Sequence, residues 1–398
     1  MLEVLTLKPE AFGLDISDLS LKIIKLEKKG EGFKLVSFGE TEIPSGVIRG
    51  GEIKKEENLV AIIKRAIDEV KGKKIKTKYV IASLPEEKAF LQVIQMPRLS
   101  EEDLKSAVIY EAENYIPLPI EEVYLDSQIV LPVYNQLPER SEGWRRTNVF
   151  RLDHLDVLIA ALPKKTVDPY ISCFKKANLK PLALEIESLA IARALIKDET
   201  TVSPLLLIDL GETRTGFVVF SGNSLKFTSS IPVSSQSFTE IISKALKINP
   251  AEAEKLKIEY GLQANAKEKG NQVFEALIPA FSDLIEQIKR YLSYYQTHAS
   301  HEHLPSDGKG VAKILLCGGG ANLKGLPLFL NTYFKIPVEI GNPWINILPE
   351  PQKDYYPPST SSRPSLRLGR APVPELPLEK SLSYTTALGL ALRGIKEK

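Results

Sequence analysis

Cysteine is scarce in this 398-residue chain, which has two. Cys173 and Cys317 stand far apart with no Cys-x-x-Cys pattern. That spacing supplies no disulfide framework and fits a reduced, cytosolic compartment. Net charge is nearly absent as well. The 52 Lys and Arg against 50 Asp and Glu leave +2, so composition makes no electrostatic case for nucleic acid or an anionic surface. No window approaches the roughly 20 apolar residues that span a bilayer. The first twelve residues lack a basic head followed by an apolar run, so no signal peptide is expected. Any membrane role then comes through a partner. There is no Gly-x-x-x-x-Gly-Lys-Ser/Thr loop and no Gly-x-Gly-x-x-Gly after a strand, so a phosphate would need another cradle.

The chain does carry a repeated local pattern. Leu205 to Phe220 reads as an apolar strand ending in Asp209, a polar turn holding Gly211, and a returning apolar strand. Phe12 to Leu26 echoes it: a strand ends in Asp15, a polar turn follows, and an apolar run returns. Glycine permits the sharp turn, because without Cβ it takes positive φ at little cost. A carboxylate beside exposed turn amides suits a phosphate with its magnesium, and Asp also serves ordinary turns. One copy in each half predicts two related α/β lobes around one cleft. A length of 398 residues is too great for one ordinary core and agrees with that division.

In order, residues 1–85 read as strand, strand, strand, helix, strand, the first lobe, continued by 180–200 and by a last helix within 381–398. Residues 86–179 read as strand, helix, strand, strand, a separate inserted module. Its helix starts at Ser100, an N-cap followed by acids. Lys197 to Pro204 reads as a turn-rich junction. Residues 201–342 form the second lobe, with a subdomain over 247–300 in which Asn249 caps a helix opened by Pro250. The Pro-rich stretch 343–380 reads as an extended loop.

Further pieces add to the hairpins. Gly318-Gly319-Gly320 after a strand leaves bare backbone for a ring or a phosphate, or is a flexible turn. Glu254 and Lys257, at i and i+3, share a helix face and fit either ribose and base contacts or a surface ion pair. Glu187 heads a helix, where an acid suits the macrodipole and could also orient a water. His298, His301 and His303 are close in sequence but sit where a helix yields to a polar loop, and Trp144-Arg145-Arg146 is one basic trio on a neutral chain; both are read as solvated.

In order, these pieces resemble the nucleotide-binding elements of the actin-like ATPase superfamily. Asp15 to Lys22 is similar to the first phosphate loop, which assigns Asp15, Ser17, Asp18, Ser20 and Lys22 to nucleotide. Asp209 to Thr213 is similar to the second, which assigns Asp209, Gly211, Glu212 and Thr213. Glu254 and Lys257 fall on the adenosine-contacting helix. Gly318, Gly319, Gly320 and Asn322 fall on the adenosine loop. Glu187 to Ala192 and Thr386 to Leu390 resemble the two connecting helices. The segments Val93 to Lys105, Tyr110 to Ile120, Leu162-Pro-Lys-Lys165, Leu184-Glu-Ile-Glu187 and Tyr291 to Gln296 resemble the PilM family of type IV pilus assembly proteins.

The resemblance implies an actin-like (ribonuclease H-like) two-lobed fold with the inserted module where cell-division FtsA carries one. It implies ATP in the cleft, Mg2+ held through water by Asp15 and Asp209, and Glu187 placing a water. It also implies a cytosolic scaffold bound to the N-terminal tail of the inner-membrane protein PilN, and through it to the pilus platform. Three departures stand out. Ser17 replaces the usual first-loop glycine, and Asp18 sits where a hydroxyl would approach the γ-phosphate, a carboxylate expected to repel it. Thr213 likewise stands where actins have glycine. Whether ATP is hydrolysed stays open, and an active ATPase or an FtsA-like filament protein remain the alternatives.

Overall fold

The computed structural model describes residues 9–30, 32–130, 154–263, 268–298, 310–348 and 376–396. The first lobe begins with β1 (Phe12–Ile16), β2 (Ser20–Lys29) and β3 (Gly32–Glu42). A short hairpin follows, β4 (Ile48–Arg49) and β5 (Glu52–Ile53). Helix α1 (Glu56–Asp68) forms because Leu59, Ile62, Ile63 and Ala66 make one apolar stripe, and all four are buried. Then come β6 (Lys71–Gly72) and β7 (Tyr79–Leu84).

The inserted module is β8 (Phe90–Pro97), α2 (Glu101–Ala112), β9 (Val123–Val130) and β10 (His154–Pro163). The Ser100 hydroxyl accepts the Asp103 N–H and so fixes the start of α2. Its sheet runs β8-β10-β9, and α2 covers one face through Leu104, Val108 and Ala112 against Ile94, Met96 and Val157. The chain re-enters the lobe through α3 (Lys164–Lys176), β11 (Lys180–Ile186) and α4 (Glu187–Leu195).

The second lobe has β12 (Thr201–Leu210), β13 (Thr215–Gly222) and β14 (Ser224–Ile231). Helices α5 (Ser235–Leu246), α6 (Pro250–Tyr260) and α7 (Glu268–His298) follow, the last continuous through Pro279. Then come β15 (Lys313–Cys317), α8 (Leu326–Phe334) and β16 (Val338–Ile340). The chain ends in α9 (Leu378–Ser381) and α10 (Thr385–Lys396).

The two main sheets repeat one plan. In β11-β7-β1-β2-β3-β6, β1 pairs antiparallel with β2 and parallel with β7; in β14-β13-β12-β15-β16, β12 pairs antiparallel with β13 and parallel with β15. Each central strand therefore ends in an Asp beside a hairpin turn, with a parallel strand on its other side. Between the sheets, α10 packs on β1 through Gly13, while α4 packs Ile191, Ala192 and Leu195 on Leu207 and Val218 of the second sheet. The two helices cross where Gly389 meets the backbone of Ala190. Glu185, almost wholly buried, holds this joint: Arg193 grips it with two guanidinium nitrogens at 2.7 and 2.5 Å.

Two sequence expectations change here. The 197–204 junction turns only at its start, where Asp198 and Glu199 take positive φ; from Thr201 the chain is already strand, paired to Gly222. The Pro-rich stretch is not an extended loop at either end: 343–348 is a buried turn, and α9 begins at Leu378. Trp344, Ile347 and Leu348 on one side and Leu376 on the other are buried against Ile24, Leu35 and Phe38, and the Phe33 N–H donates to the Ile347 carbonyl. Residues 349–375 lie outside the described residues, as do Trp144-Arg145-Arg146, His301 and His303. No helix among the described residues is long and apolar enough to cross a membrane.

Candidate functional site

A cavity of about 420 Å³ lies between the lobes, within the size range of small-ligand sites. Both hairpin turns, the glycine loop after β15, the head of α4 and the start of α10 line it. It brings together every predicted site residue but one: Asp15, Ser17, Asp18, Ser20, Lys22, Glu187, Asp209, Gly211, Glu212, Thr213, Glu254, Lys257 and Gly318 to Gly320.

The exception is Asn322. Its amide donates to the Gly319 carbonyl at 3.3 Å and the Glu379 carbonyl at 2.8 Å, so it ties the loop to α9 and is not among the cavity residues. The glycines of that loop are required by the fold first. A Cβ on Gly318, at φ +80°, would collide with the Asp209 carboxylate and lie 2.5 Å from the Leu210 carbonyl; one on Gly320 would lie 2.9 Å from Leu210 Cβ. The loop crosses the end of β12 with no side chain between, which leaves flat backbone facing the cavity.

Asp18 also differs from expectation. Its two oxygens accept the backbone N–H groups of Gly51 at 2.9 Å and Gly50 at 2.7 Å. The carboxylate caps the β4–β5 turn, and its charge is met by those amides even though it lines the cavity. The Gly51 carbonyl in turn accepts from Tyr170 on α3, so the first phosphate-loop candidate, this turn and α3 form one hydrogen-bonded unit. Asp18→Ala is therefore expected to lower the melting temperature, losing two charge-assisted bonds and about 2 kcal/mol, without raising affinity for ATP. An affinity gain in titration calorimetry would restore the repulsion reading.

Ser17 needs no positive φ, and its hydroxyl bonds Ser20 Oγ at 3.0 Å, with Lys22 Nζ donating to the same Ser20 oxygen at 2.6 Å. The serine closes the turn by side-chain bonds where glycine would do so by backbone freedom. Lys257 is buried, and its ammonium meets the Ser235 carbonyl and hydroxyl, Thr239 Oγ1 and Glu254 at 2.7–2.9 Å. It joins α6 to α5; Glu254, which accepts from Thr239, is the member of the pair left partly open.

Acid dominates the cavity floor. Burial pushes the Asp15 carboxyl up, against the opposing pull of Lys22 and a 3.0 Å bond from Ser83. Asp209 is raised to about 6 by burial and by Asp15, and the Cys317 thiol lies 3.8 Å from its Oδ1. Glu187 is raised well above its ordinary value by burial, then by Asp15, Glu87, Glu86 and Asp209. Glu86 is raised by burial and accepts the Ser188 N–H at the head of α4; Glu87 is raised by burial and pairs with Arg214 across the cleft at 2.7 Å. Such a set of carboxylates suits a divalent cation arriving with its own ligands. Among the described residues no group of three or more His, Cys, Asp or Glu is arranged to hold a metal ion.

Sequence reasoning missed Ser83, Glu86, Glu87, Arg214 and Tyr170. The first three lie at and just beyond the β7 end, the place in that parallel strand that corresponds to Asp15 in β1, and that position was the available signal. Arg214 ends the second turn itself.

Three comparisons bear on this geometry. A family profile described as type IV pilus assembly protein PilM matches residues 13–355. Cell division protein FtsA of Enterococcus hirae is 24% identical over 344 residues, covering 82% of this chain and 77% of that protein; FtsA of Bacillus subtilis is 24% identical over 283 residues, covering 67% and 61%. A PilM-PilN type IV pilus biogenesis complex is similar at TM-score 0.73 and 24% identity, over 98% of this chain and 100% of that one. Ethanolamine utilization protein EutJ of Carboxydothermus hydrogenoformans is similar at TM-score 0.52 and 13% identity, over 97% and 90%. MreB5 of Spiroplasma citri bound to AMPPNP is similar at TM-score 0.50 and 14% identity, over 86% and 95%. The actin-like two-lobed fold is thereby shown.

Proposed function

We propose that this chain, which belongs to the type IV pilus assembly protein PilM family, is an actin-like scaffold of the pilus inner-membrane platform, gated by ATP and bound to PilN. One observation carries the nucleotide reading: a cavity of about 420 Å³ between the lobes, lined by Asp15 and Asp209 and by the Gly318–Gly320 backbone. ATP would lie with its phosphates toward the turns at Ser17–Lys22 and Gly211–Thr213 and its ribose toward Glu254. Asp15 and Asp209 would hold Mg2+ through water, and the ion would neutralise phosphate charge there. Lys22 offsets the acid floor from the first lobe. Arg214, held by Glu87, places one cation on the cleft wall.

Nucleotide that touches both turns favours one lobe arrangement, and that preference is what couples the cleft to a partner. The PilN tail is proposed to dock as an extended segment between the inserted module and the first lobe, recruiting a cytoplasmic protein to the inner face of the membrane. The fold similarity to a PilM-PilN complex supports PilN as the partner. Deleting the tail should abolish co-purification; retention would end the docking proposal.

A second reading, an active ATPase, rests on Glu187 in the cavity wall at the head of α4. Titration calorimetry with Mg-ATP and a non-hydrolysable analogue, beside a phosphate-release assay, separates the readings. Equal binding without phosphate release supports the scaffold. Release lost in Glu187→Gln supports the enzyme, and no binding of either nucleotide overturns both.

A further inference from the structure

The overall charge of +2 conceals a strongly uneven surface. The strap from β6 to β7 carries Lys71, Lys73, Lys74, Lys76 and Lys78 and no acid. The fold lays it beside the β2–β3 hairpin end, which carries Lys28 and Lys29. The Lys73 N–H donates to the Val36 carbonyl at 3.2 Å, its carbonyl accepts from Ser37 at 2.5 Å, and its ammonium reaches Glu27 of β2 at 3.3 Å. Two acids beside the strap are already engaged: Glu27 with Lys34 and Lys73, and Glu10 with Lys25. Among the described residues, Lys28, Lys29, Lys71, Lys74, Lys76 and Lys78 are exposed and make no ion pair. An open recess of about 710 Å³ lies beside Lys73, Lys74 and Lys76.

We infer that this face rests on an anionic phospholipid surface. Every cation on it is a lysine. Ammonium groups are compact, hydrated point charges suited to a diffuse sheet of headgroups, whereas bidentate recognition of single carboxylates or phosphates favours arginine. The rings beside it, Phe38 and Tyr79, already carry the Lys71 and Lys78 ammonium groups at 5.7 and 5.9 Å from their centroids, rather than standing open as the stacking platform that a nucleic-acid strand would use. Its lysines come from a sheet edge and a strap on one lobe, away from the cleft, so the contact leaves the nucleotide cavity and the lobe motion free. It stands or falls apart from the nucleotide and PilN readings.

Co-sedimentation of the full chain with vesicles of phosphatidylcholine, alone or with phosphatidylglycerol, tests it. At low salt the anionic vesicles should take up at least about tenfold more protein than the neutral ones, and about 0.5 M salt should abolish the difference. The combined Lys28→Gln, Lys29→Gln, Lys74→Gln and Lys76→Gln variant should lose the preference with its melting temperature unchanged. A variant equal in charge, with Lys105, Lys244, Lys255 and Lys269 changed to Gln, should keep it. Equal uptake by both vesicles, preference surviving in the first variant, equal loss in both variants, or capture by an oligonucleotide but not by vesicles would each overturn the proposal.

Discussion

Gly389→Val should lower the melting temperature by roughly 10 °C, if the chain still folds, because the new side chain has nowhere to go. A Cβ at Gly389 would overlap the Ala190 carbonyl and lie 2.9 Å from Ala190 Cα. The obstacle is the backbone of α4, which cannot rotate aside as a side chain would. Separation is resisted on the other side as well: a Cβ at Gly13 of β1 would already collide with the Ala387 carbonyl of α10. Three layers, β1, α10 and α4, thus meet through small residues. Overpacking a core by a few methyl groups ordinarily costs about 1–3 kcal/mol, and backbone on both sides places this site at or above the upper end. The damage should reach the cleft, since Glu187 begins α4 while Thr385 and Thr386 begin α10, and all three line the cavity. Thermal melts of Gly389→Ala and Gly389→Val should form a graded series. A valine variant melting within about 2 °C of wild type would mean that the helices part easily and that the crossing does not hold the lobes.

The two hairpins were legible because both signals are local. Alternating apolar residues give the strands, and an Asp and small residues at fixed offsets give the turns. Helix starts at Ser100 and Asn249 were legible for the same reason. What the sequence hid is the direction taken by polar side chains in turns. Asp18 binds amides 32 and 33 residues away, and Asn322 binds a carbonyl 57 residues away; no spacing rule anticipates either. Lys257 shares a helix face with Glu254 as expected, yet it turns inward to α5, because three oxygens of Ser235 and Thr239 lie there to receive it. The ends of the Pro-rich stretch were misjudged because composition described their average, while Trp344 and Ile347 find a hydrophobic wall on β2 and β3. The lysine face was invisible to the same kind of average.

Asp209→Asn should make the unliganded chain harder to unfold and at the same time remove its response to magnesium-nucleotide. Burial and the Asp15 carboxylate raise the Asp209 carboxyl from 3.8 to about 6, so its ionised form is disfavoured in the folded state. The sign follows from linkage. A carboxyl raised on folding contributes stability that is fully present below about 3.8 and is lost as pH rises through about 6. At pH 7.5 Asp209 in the wild type is ionised against its burial and the neighbouring Asp15, and a neutral amide of the same shape relieves that cost.

In melting curves the variant should exceed wild type by a few degrees at pH 7.5, and the gap should close toward pH 4. Mg-ATP should reverse the order. In the wild type a divalent cation should offset the acid floor, so the ligand should raise the melting temperature more at pH 7.5 than at pH 5.5, where Asp209 is largely protonated. In the variant the rise should be small at both. A variant less stable than wild type at every pH would mean that Asp209 accepts more from its neighbours than it repels. A full Mg-ATP response in the variant would move the ion away from the second turn. The coupled outcome is the informative one, because a residue kept for stability alone would be better as asparagine here. A carboxylate that costs the empty fold stability and restores it with Mg-ATP would be a ligand-binding group rather than a structural one.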